Sequence, residues 1–445
     1  MEKQELQLIK NAGVVGAGGA GFPAYVKYDA KVDTLIVNCA ECEPLIDVDK
    51  LILQNYFEKV YDGIKTVTDL VQPERVVIAL KAKYKKAIEV IETFKNRMTE
   101  TVFEIFKLEN FYPAGDEQVL VNEVTGRIVP EGSIPLVVGA VVANVETLFN
   151  VSNAVKNIPV AKKFVTINGV VDRPQTLEVP VGTPVKMLLD WCGIDRNADY
   201  RVLDGGPMMG KLIDENTYAV KKTTKSIIAL PAENIVITQK MRNEKSQVKR
   251  AQAICLSCRM CTDLCPRYLL GHYLFPDELM KKLYKGTLAD EDLEKFDFAY
   301  LCCDCGLCEL YSCPVDLSAR SLFNYIKSKL ALMQIKNSHN RKDLHVNEFR
   351  QYRKVPVGRL VKRMEVERFD KKTELCSFTK IPEYVKLYLL QHIGARSIPE
   401  VSAGDAVDEG QIVASIPEGK IGSVIHSSIK GRVTEITGDY ILVRS

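Results

Sequence analysis

Two cysteine blocks, about 40 residues apart, set what this chain can fold into. The first, CLSCRMCTDLCP, places Cys255, Cys258, Cys261 and Cys265 at the spacing C-x2-C-x2-C-x3-C-P. The second, LCCDCGLCELYSCPV, supplies Cys302, Cys305, Cys308 and Cys313, with its last gap one residue longer. Three thiolates in tight series, with a fourth just before a proline, form the spacing that holds a [4Fe–4S] cubane. In paired blocks the fourth cysteine reaches the other cluster, so Cys265 is expected to complete the second site and Cys313 the first. Zinc knuckles are the alternative, but they use paired C-x2-C ligands rather than three thiolates in series and a Cys-Pro. Cys302 is read as the ligand rather than Cys303, because it repeats the C-x2-C-x2-C of the first block. Only Asp304 separates Cys303 from Cys305, too short a loop to serve two irons comfortably.

The rest of the composition is ordinary for a globular chain. Of 445 residues, 46% are hydrophobic and 26% charged, with a net charge of +3. That balance points away from nucleic acid and anionic membrane surfaces. No apolar run reaches the ~18 residues of a membrane span. MEKQELQLIKNAG lacks a signal-peptide apolar region, so a cytoplasmic chain is expected. In that reducing compartment, nine of 13 cysteines crowded between Cys255 and Cys313 read as metal ligands rather than disulfides. Cys39, Cys42, Cys192, Cys303 and Cys376 are expected to be core or surface thiols.

Along the chain the pattern changes four times. DTLIVNCAE, ERVVIALKAKYKKAIEVIETFK and IPLVVGAVVANVETLFNV alternate buried strands with amphipathic helices, the mark of an α/β domain. KFVTINGVVDRPQTLEVPVG reads as a hairpin with Asn-Gly at its turn. The cysteine blocks lie in a helical segment, and KNSHNRKDLHVNEFRQYRK reads as a basic linker. The last ~65 residues are short strands with Gly and Asp turns, a small β barrel or sandwich.

Near the start, GVVGAGGAGFPAYVKY packs five glycines into sixteen residues and then a lysine. Glycine-rich backbone lets main-chain N–H groups approach a bulky anion, usually a phosphate. The loop does not fit G-x-G-x-x-G after a strand and lacks the Walker lysine position. A turn that only packs tightly is the plain alternative. Clusters pass single electrons, so a flavin upstream of them, splitting a hydride donor's pair, makes chemical sense.

GAGGAGFPAYVK resembles the glycine loop of the NADH- and FMN-binding subunit of respiratory complex I. VNCAECEPLIDVDK, YPAGDEQVLVNEVTG and VVANVETL resemble three further motifs of that family, in the same order. GGPMMG and the preceding hairpin resemble an SLBB module. The whole order, ending in the QHIGA…IHSSIKGRV barrel, resembles the RnfC family of the Rnf complex. It is closest to members that carry the barrel last, such as the cobalamin reductases of propanediol-utilisation microcompartments and soluble carriers serving proline reductase. The resemblance implies a multidomain chain. Residues 1–160 would form an α/β FMN/NADH-binding domain, and 161–240 an SLBB β-grasp module. Residues 241–335 would form a helical ferredoxin-like domain with two [4Fe–4S] clusters, 336–374 a linker, and 375–445 an all-β barrel-sandwich hybrid domain.

The resemblance also implies roles. Gly16, Gly18, Gly19 and Gly21 would line the flavin, Lys27 would meet its phosphate, and Phe22 would stack on the nicotinamide dinucleotide. Asn38, Glu41, Glu43, Gly115, Asp116, Glu117, Asn144 and Thr147 fall on further flavin or nicotinamide contacts, with Glu43 and Glu117 the candidate catalytic residues. Ala17, Ala40 and Ala143 depart from the arginine, acid and asparagine of the complex I motifs. Glu41 and Glu43 as solvated loop charges, and Asn144–Thr147 as a plain helix cap, are the structural alternatives. Lys430 lacks the flanking methionines of a covalent carrier lysine, so the barrel is expected to dock or support and to be dispensable for cofactors. The expected function is an NADH-dependent oxidoreductase passing electrons through FMN and two clusters to a corrinoid, with cob(II)alamin the first choice. The alternatives are a carrier to a partner reductase, or a non-enzymatic adaptor. Expected partners are NADH, a corrinoid or protein acceptor, a corrinoid adenosyltransferase or reductase, and a further copy of the chain. Neither nucleic acid nor a transmembrane segment is expected, and residence inside a bacterial microcompartment follows from the resemblance.

Overall fold

The computed structural model describes residues 4–98, 103–285 and 290–445. TLIVNC and RVVIALK are apolar without alternation, the pattern of strands covered on both faces. They form the centre of a four-stranded parallel sheet, ordered Glu104–Leu108, Arg75–Lys81, Thr34–Cys39, Ala140–Asn144. Alternate side chains serve separate cores. Leu35, Val37 and Cys39 pack with the helix Val48–Val71, whereas Ile36, Val77 and Ala79 pack with Val119 and Leu120 of the helix Glu117–Thr125. Val48–Val71 crosses Val145–Ala154 closely, and Gly63 permits it: a Cβ there would stand 2.0 Å from the Leu148 carbonyl oxygen.

A six-stranded mixed sheet follows, ordered Leu375–Ser377, Gln175–Pro180, Lys162–Gly169, Ser226–Pro231, Tyr200–Asp204, Lys211–Ile213. The hairpin exists, but Asn168-Gly169 is not its turn. Ile167 already pairs with Gln175, and Gly169 ends the strand in parallel register with Ala229. Its φ of 103° and a Cβ position 1.8 Å from the Ala229 carbonyl oxygen demand glycine for close backbone approach, not for a tight loop. This sheet is locked to the first by a buried ion pair between Lys163 and Glu146, with Phe164 N–H donating to Glu146 at 3.1 Å.

The cysteine segment folds as short helices around Leu274, Leu283, Phe298, Leu322 and Phe323. Residues expected as a linker carry structure of their own. Val355–Pro356 pairs antiparallel with Phe111–Tyr112, and the helix Val357–Arg363 buries Val357, Leu360 and Val361. Leu375–Ser377 joins the edge of the six-stranded sheet, where an unpaired strand offers free N–H and C=O groups. From Tyr384 onward two small sheets of four and three strands enclose Val385, Leu387, Val413, Ile425, Val433 and Ile441. Among the described residues no helix is long and apolar enough to cross a membrane.

Candidate functional site

A cavity of about 460 Å³ opens at the carboxyl ends of the parallel strands, the position where open α/β sheets bind ligands and a size that suits a cofactor. Strand pairing sets Asn38 directly beside Asn144 on its wall. The glycine loop supplies Gly16, Gly18, Gly19, Gly21 and Phe22; Lys27, Gly115, Glu117 and Thr147 complete the set expected from the sequence. Several are fixed from behind. Asn38 donates to the Gly115 carbonyl at 2.9 Å and accepts from Ala40 N–H at 3.1 Å. Thr147 Oγ1 accepts from Ala17 N–H at 2.9 Å, which pins the loop to the helix Val145–Ala154. Asn144 caps that helix, accepting from Glu146 N–H at 3.0 Å, and its Nδ2 donates to Asp49 at 2.9 Å. It is therefore both a helix cap and a cavity wall.

The cradle fits a phosphate-bearing flavin. A Cβ on Gly18 would meet Asn144 Nδ2 at 2.9 Å, and a Cβ on Gly19 would meet nothing within 4 Å, so the backbone there is bare toward the cavity. Helices Glu117–Thr125 and Val145–Ala154 both begin at the cavity, their leading N–H groups capped by Asp116 and Asn144, so the bare N–H groups there are those of the glycine loop. Lys27 is the cation on the wall, and its Nζ is held by Glu117 Oε1 at 2.6 Å.

Glu41, Glu43 and Asp116 stand outside the cavity lining, each with another task. Glu41 accepts from Asp49 N–H at 2.9 Å and Lys50 N–H at 3.3 Å, at the start of the helix Val48–Val71. Burial, then the neighbouring Asp49 carboxylate, pushes its pKa up to about 7. Glu43 accepts from Met208 and Met209 N–H at 3.1 and 2.6 Å, clasping the GGPMMG loop. Burial raises its pKa, and those two N–H groups oppose the rise. Asp116 caps Glu117–Thr125 and receives a two-pronged contact from Arg267 at 2.7 and 2.9 Å, one residue past Pro266 of the first cysteine block.

Other residues at the site carry no local sequence signal. Ile393, from the C-terminal segment, lines the cavity, and its N–H donates to the Gly21 carbonyl at 3.2 Å. The barrel expected to be independent of cofactors thus reaches the glycine loop. Asp49 and Lys225 form a buried ion pair behind Asn144. The motif stretch EPLIDVDK contains Asp49, but only the fold shows its partner.

The thiols gather into two cavities as the crossed pairing expects. One is lined by Cys255, Cys258, Cys261 and Cys313, the other by Cys265, Cys302, Cys303 and Cys305, and Cys308 touches both. Among the described residues no three Cys, His, Asp or Glu side chains converge tightly enough for a single ion. The backbone repeats in register with Cys302. Ser257 and Arg259, second and fourth after Cys255, have φ of 51° and 67°; Asp304 and Gly306, second and fourth after Cys302, have 60° and 77°. Helices Met260–Asp263 and Leu307–Leu310 follow at matching places. Pro266 opens the helix after Cys265, where its missing N–H costs nothing. The second cavity adjoins the flavin-type domain: Tyr112 OH donates to the Cys305 carbonyl at 2.7 Å.

Four segments of the chain match known protein families. Residues 9–153 match the Nuo51 FMN-binding domain, 164–212 the SLBB domain, 254–318 the 4Fe-4S dicluster domain and 363–443 the RnfC barrel sandwich hybrid domain. The chain is 37% identical to the cobalamin reductase PduS of Citrobacter freundii, over 98% of this chain and 95% of the relative. It is 36% identical to that of Salmonella typhimurium over the same shares. The C component of the proton-translocating ferredoxin:NAD(+) oxidoreductase complex of Clostridium ljungdahlii is 33% identical over 60% of this chain and 56% of its own length.

Proposed function

We propose, for a chain that belongs to the PduS cobalamin reductase family, that NADH is the electron donor, that FMN and two [4Fe–4S] clusters carry the electrons, and that a corrinoid, cob(II)alamin, receives them one at a time. That the chain is a flavin and iron–sulfur electron-transfer oxidoreductase follows from its family and its domains. The observation that carries the finer reading is the convergence of Gly18, Lys27, Asn38, Glu117, Asn144 and Thr147 on one cavity, one domain contact away from the thiols. FMN, when bound, supplies the conversion of a hydride donor's electron pair into single-electron steps.

The chain's own residues then have these tasks. Gly16 to Gly21 bring backbone to the phosphate, and Lys27 offsets its charge. Glu117, across from Lys27, keeps the lysine at the mouth of the cavity. Asn38 and Asn144, each held from behind, orient the bound groups, and Phe22 offers an aromatic face to the nicotinamide. Glu43 serves indirectly, by fixing the loop at Met208 whose carbonyl accepts from Arg320 of the cluster domain at 2.6 Å. Cys255, Cys258, Cys261 and Cys313 hold one cluster; Cys302, Cys305, Cys308 and Cys265 hold the other. The domain limits suggested by the sequence, a cytoplasmic location and association with a microcompartment belong to the same proposal.

The test is anaerobic turnover of the purified chain with NADH and cob(II)alamin or a cobalamin precursor, followed by the corrinoid spectrum. NADH-dependent reduction of the corrinoid is expected. Cluster reduction by NADH with an unchanged corrinoid would transfer the assignment to the second reading, a carrier feeding a partner reductase. The observation that favours that reading is the exposure of Cys258, which opens the first thiol cavity to a partner.

A further inference from the structure

The loop around the first thiol cavity is unusual for its exposure. Of the eight cysteines assigned to clusters, Cys258 is the exposed one; the others are buried or half-buried. It sits in a continuous exposed run, Ala253 and Ile254, then Leu256 to Met260. Leu256 is 63% exposed, Met260 43% and Ile254 38%. An apolar cluster of this kind beside a redox site marks a contact surface rather than a solvated loop. The second cavity is placed differently, behind Tyr112 and beside the Arg267–Asp116 contact to the flavin-type domain. Cys308 lies on both cavities. The order flavin cavity, inner cluster, outer cluster follows, and the exposed loop is where electrons leave.

The charge around that loop says what meets it. Residues 241–260 carry Arg242, Lys245, Lys249, Arg250 and Arg259 against Glu244 alone, in a chain whose total is +3. Lys245 and Lys249 lie one helical turn apart on the helix Glu244–Ile254, and both are exposed. The opposite face of that helix buries Gln247 and Ala251, and Arg250 donates to the Val315 carbonyl beside Cys313 at 3.3 Å. The lysine face is therefore directed away from the body and leads along the helix to Ile254 and Leu256.

We propose that this face docks an acidic redox protein: the apolar centre Ile254, Leu256 and Met260 meets the rim of its cofactor, and Lys245 and Lys249 meet carboxylates beside it, while Arg259 is held within the chain by Asp263 and Tyr268. Apolar centres with charged rims are the usual anatomy of transient interfaces, and opposite charge steers the encounter. With reduced clusters in place, each encounter would pass one electron to the partner, so two encounters would discharge a pair of electrons whatever the donor. The proposal rests on the flavin-to-cluster part of the path given under Proposed function and on its second reading, a protein acceptor, and not on NADH as donor.

The experiment uses the full chain, its clusters reduced by dithionite, with oxidised flavodoxin as the acidic probe and menadione as an uncharged small acceptor. Binding of flavodoxin to the full chain is measured separately by calorimetry. Lys245→Glu/Lys249→Glu should weaken flavodoxin binding and slow its reduction by about tenfold at low salt. Raising the salt should erode the wild-type advantage, and the menadione rate and iron content should stay unchanged. Flavodoxin binding and reduction unaffected by the charge reversal would overturn the proposal, as would an equal loss toward menadione. Direct reduction of free corrinoid at the wild-type rate with no detectable flavodoxin binding would also overturn it, leaving the corrinoid itself as the occupant. Dithionite loads the clusters whatever the physiological donor, so failure of NADH to reduce the chain leaves this test intact.

Discussion

Lys222 is a cation buried where three parts of the chain meet. Its Nζ donates to the carbonyls of Gly13 and Val424 at 2.8 and 2.7 Å and to Ser423 Oγ at 3.2 Å, and among the described residues it pairs with no carboxylate. Burial lowers its pKa from 10.5 to about 7. Above pH 7 the folded chain gives up this proton while the unfolded chain keeps it up to pH 10.5. The unfolded state binds more protons in that window, so the group makes stability rise with pH there. Lys222→Met should flatten the rise between pH 7 and about pH 8 in urea melts, below the ordinary cysteine pKa of about 8.5; parallel slopes in both proteins would contradict this. Lys27 acts on the ligand rather than the fold. A hydrogen bond to a charged group is worth about 1.5–3 kcal/mol, so Lys27→Ala should lower FMN affinity about tenfold or more and leave iron content intact. Equal flavin occupancy in both proteins would remove Lys27 from the site. Gly18, Asn144 and Thr147 were legible because their motifs are local. Lys222 and Ile393 were not, because their partners lie far along the chain and neither periodicity nor composition encodes such contacts.

Elements show the same division. The buried sheet followed from TLIVNC and RVVIALK, whose unbroken apolar runs need cover on both faces, and the structure pairs its strands in parallel. The Asn-Gly pair misled because Asn-Gly is a strong hairpin sign, yet here glycine answers to the Ala229 carbonyl of the neighbouring strand. The stretch read as a linker carries structure for a related reason: its sequence says nothing of the strand edges that recruit it, as Phe111–Tyr112 recruits Val355–Pro356. The two cysteine loops were legible because spacing fixes which thiols share a turn; which thiols hold which cluster belongs to the proposal. Cys302→Ser should drop iron from about eight toward about four per chain, whereas Cys303→Ser should stay near eight. Cys313→Ser should alter the EPR signal of the cluster bound by Cys255, Cys258 and Cys261. Iron loss in Cys303→Ser alone would reverse the register given by the repeated left-handed residues.

Across the whole molecule, the carboxyl ends of one sheet, a glycine loop and a distant C-terminal segment close a single cavity. Ile393 on the cavity wall, its bond to Gly21, and Lys222 under Gly13 tie the barrel to the cofactor end of the chain. Removing residues 383–445 should therefore weaken flavin retention several-fold, on the order of the apolar contact and backbone bond lost, with iron content kept in a soluble product. Unchanged flavin retention in that truncation would confine the barrel to a supporting role. The measurement that bears most directly on the account is an anaerobic NADH titration of the full chain, with flavin and iron counted beforehand. The account predicts one flavin and about eight irons per chain on the usual count of four per cubane, a flavin absorbance bleached by NADH, and cluster EPR signals that grow as it bleaches. A chain that holds zinc in place of iron, or whose reconstituted flavin and clusters remain oxidised with NADH while dithionite reduces both, would contradict it.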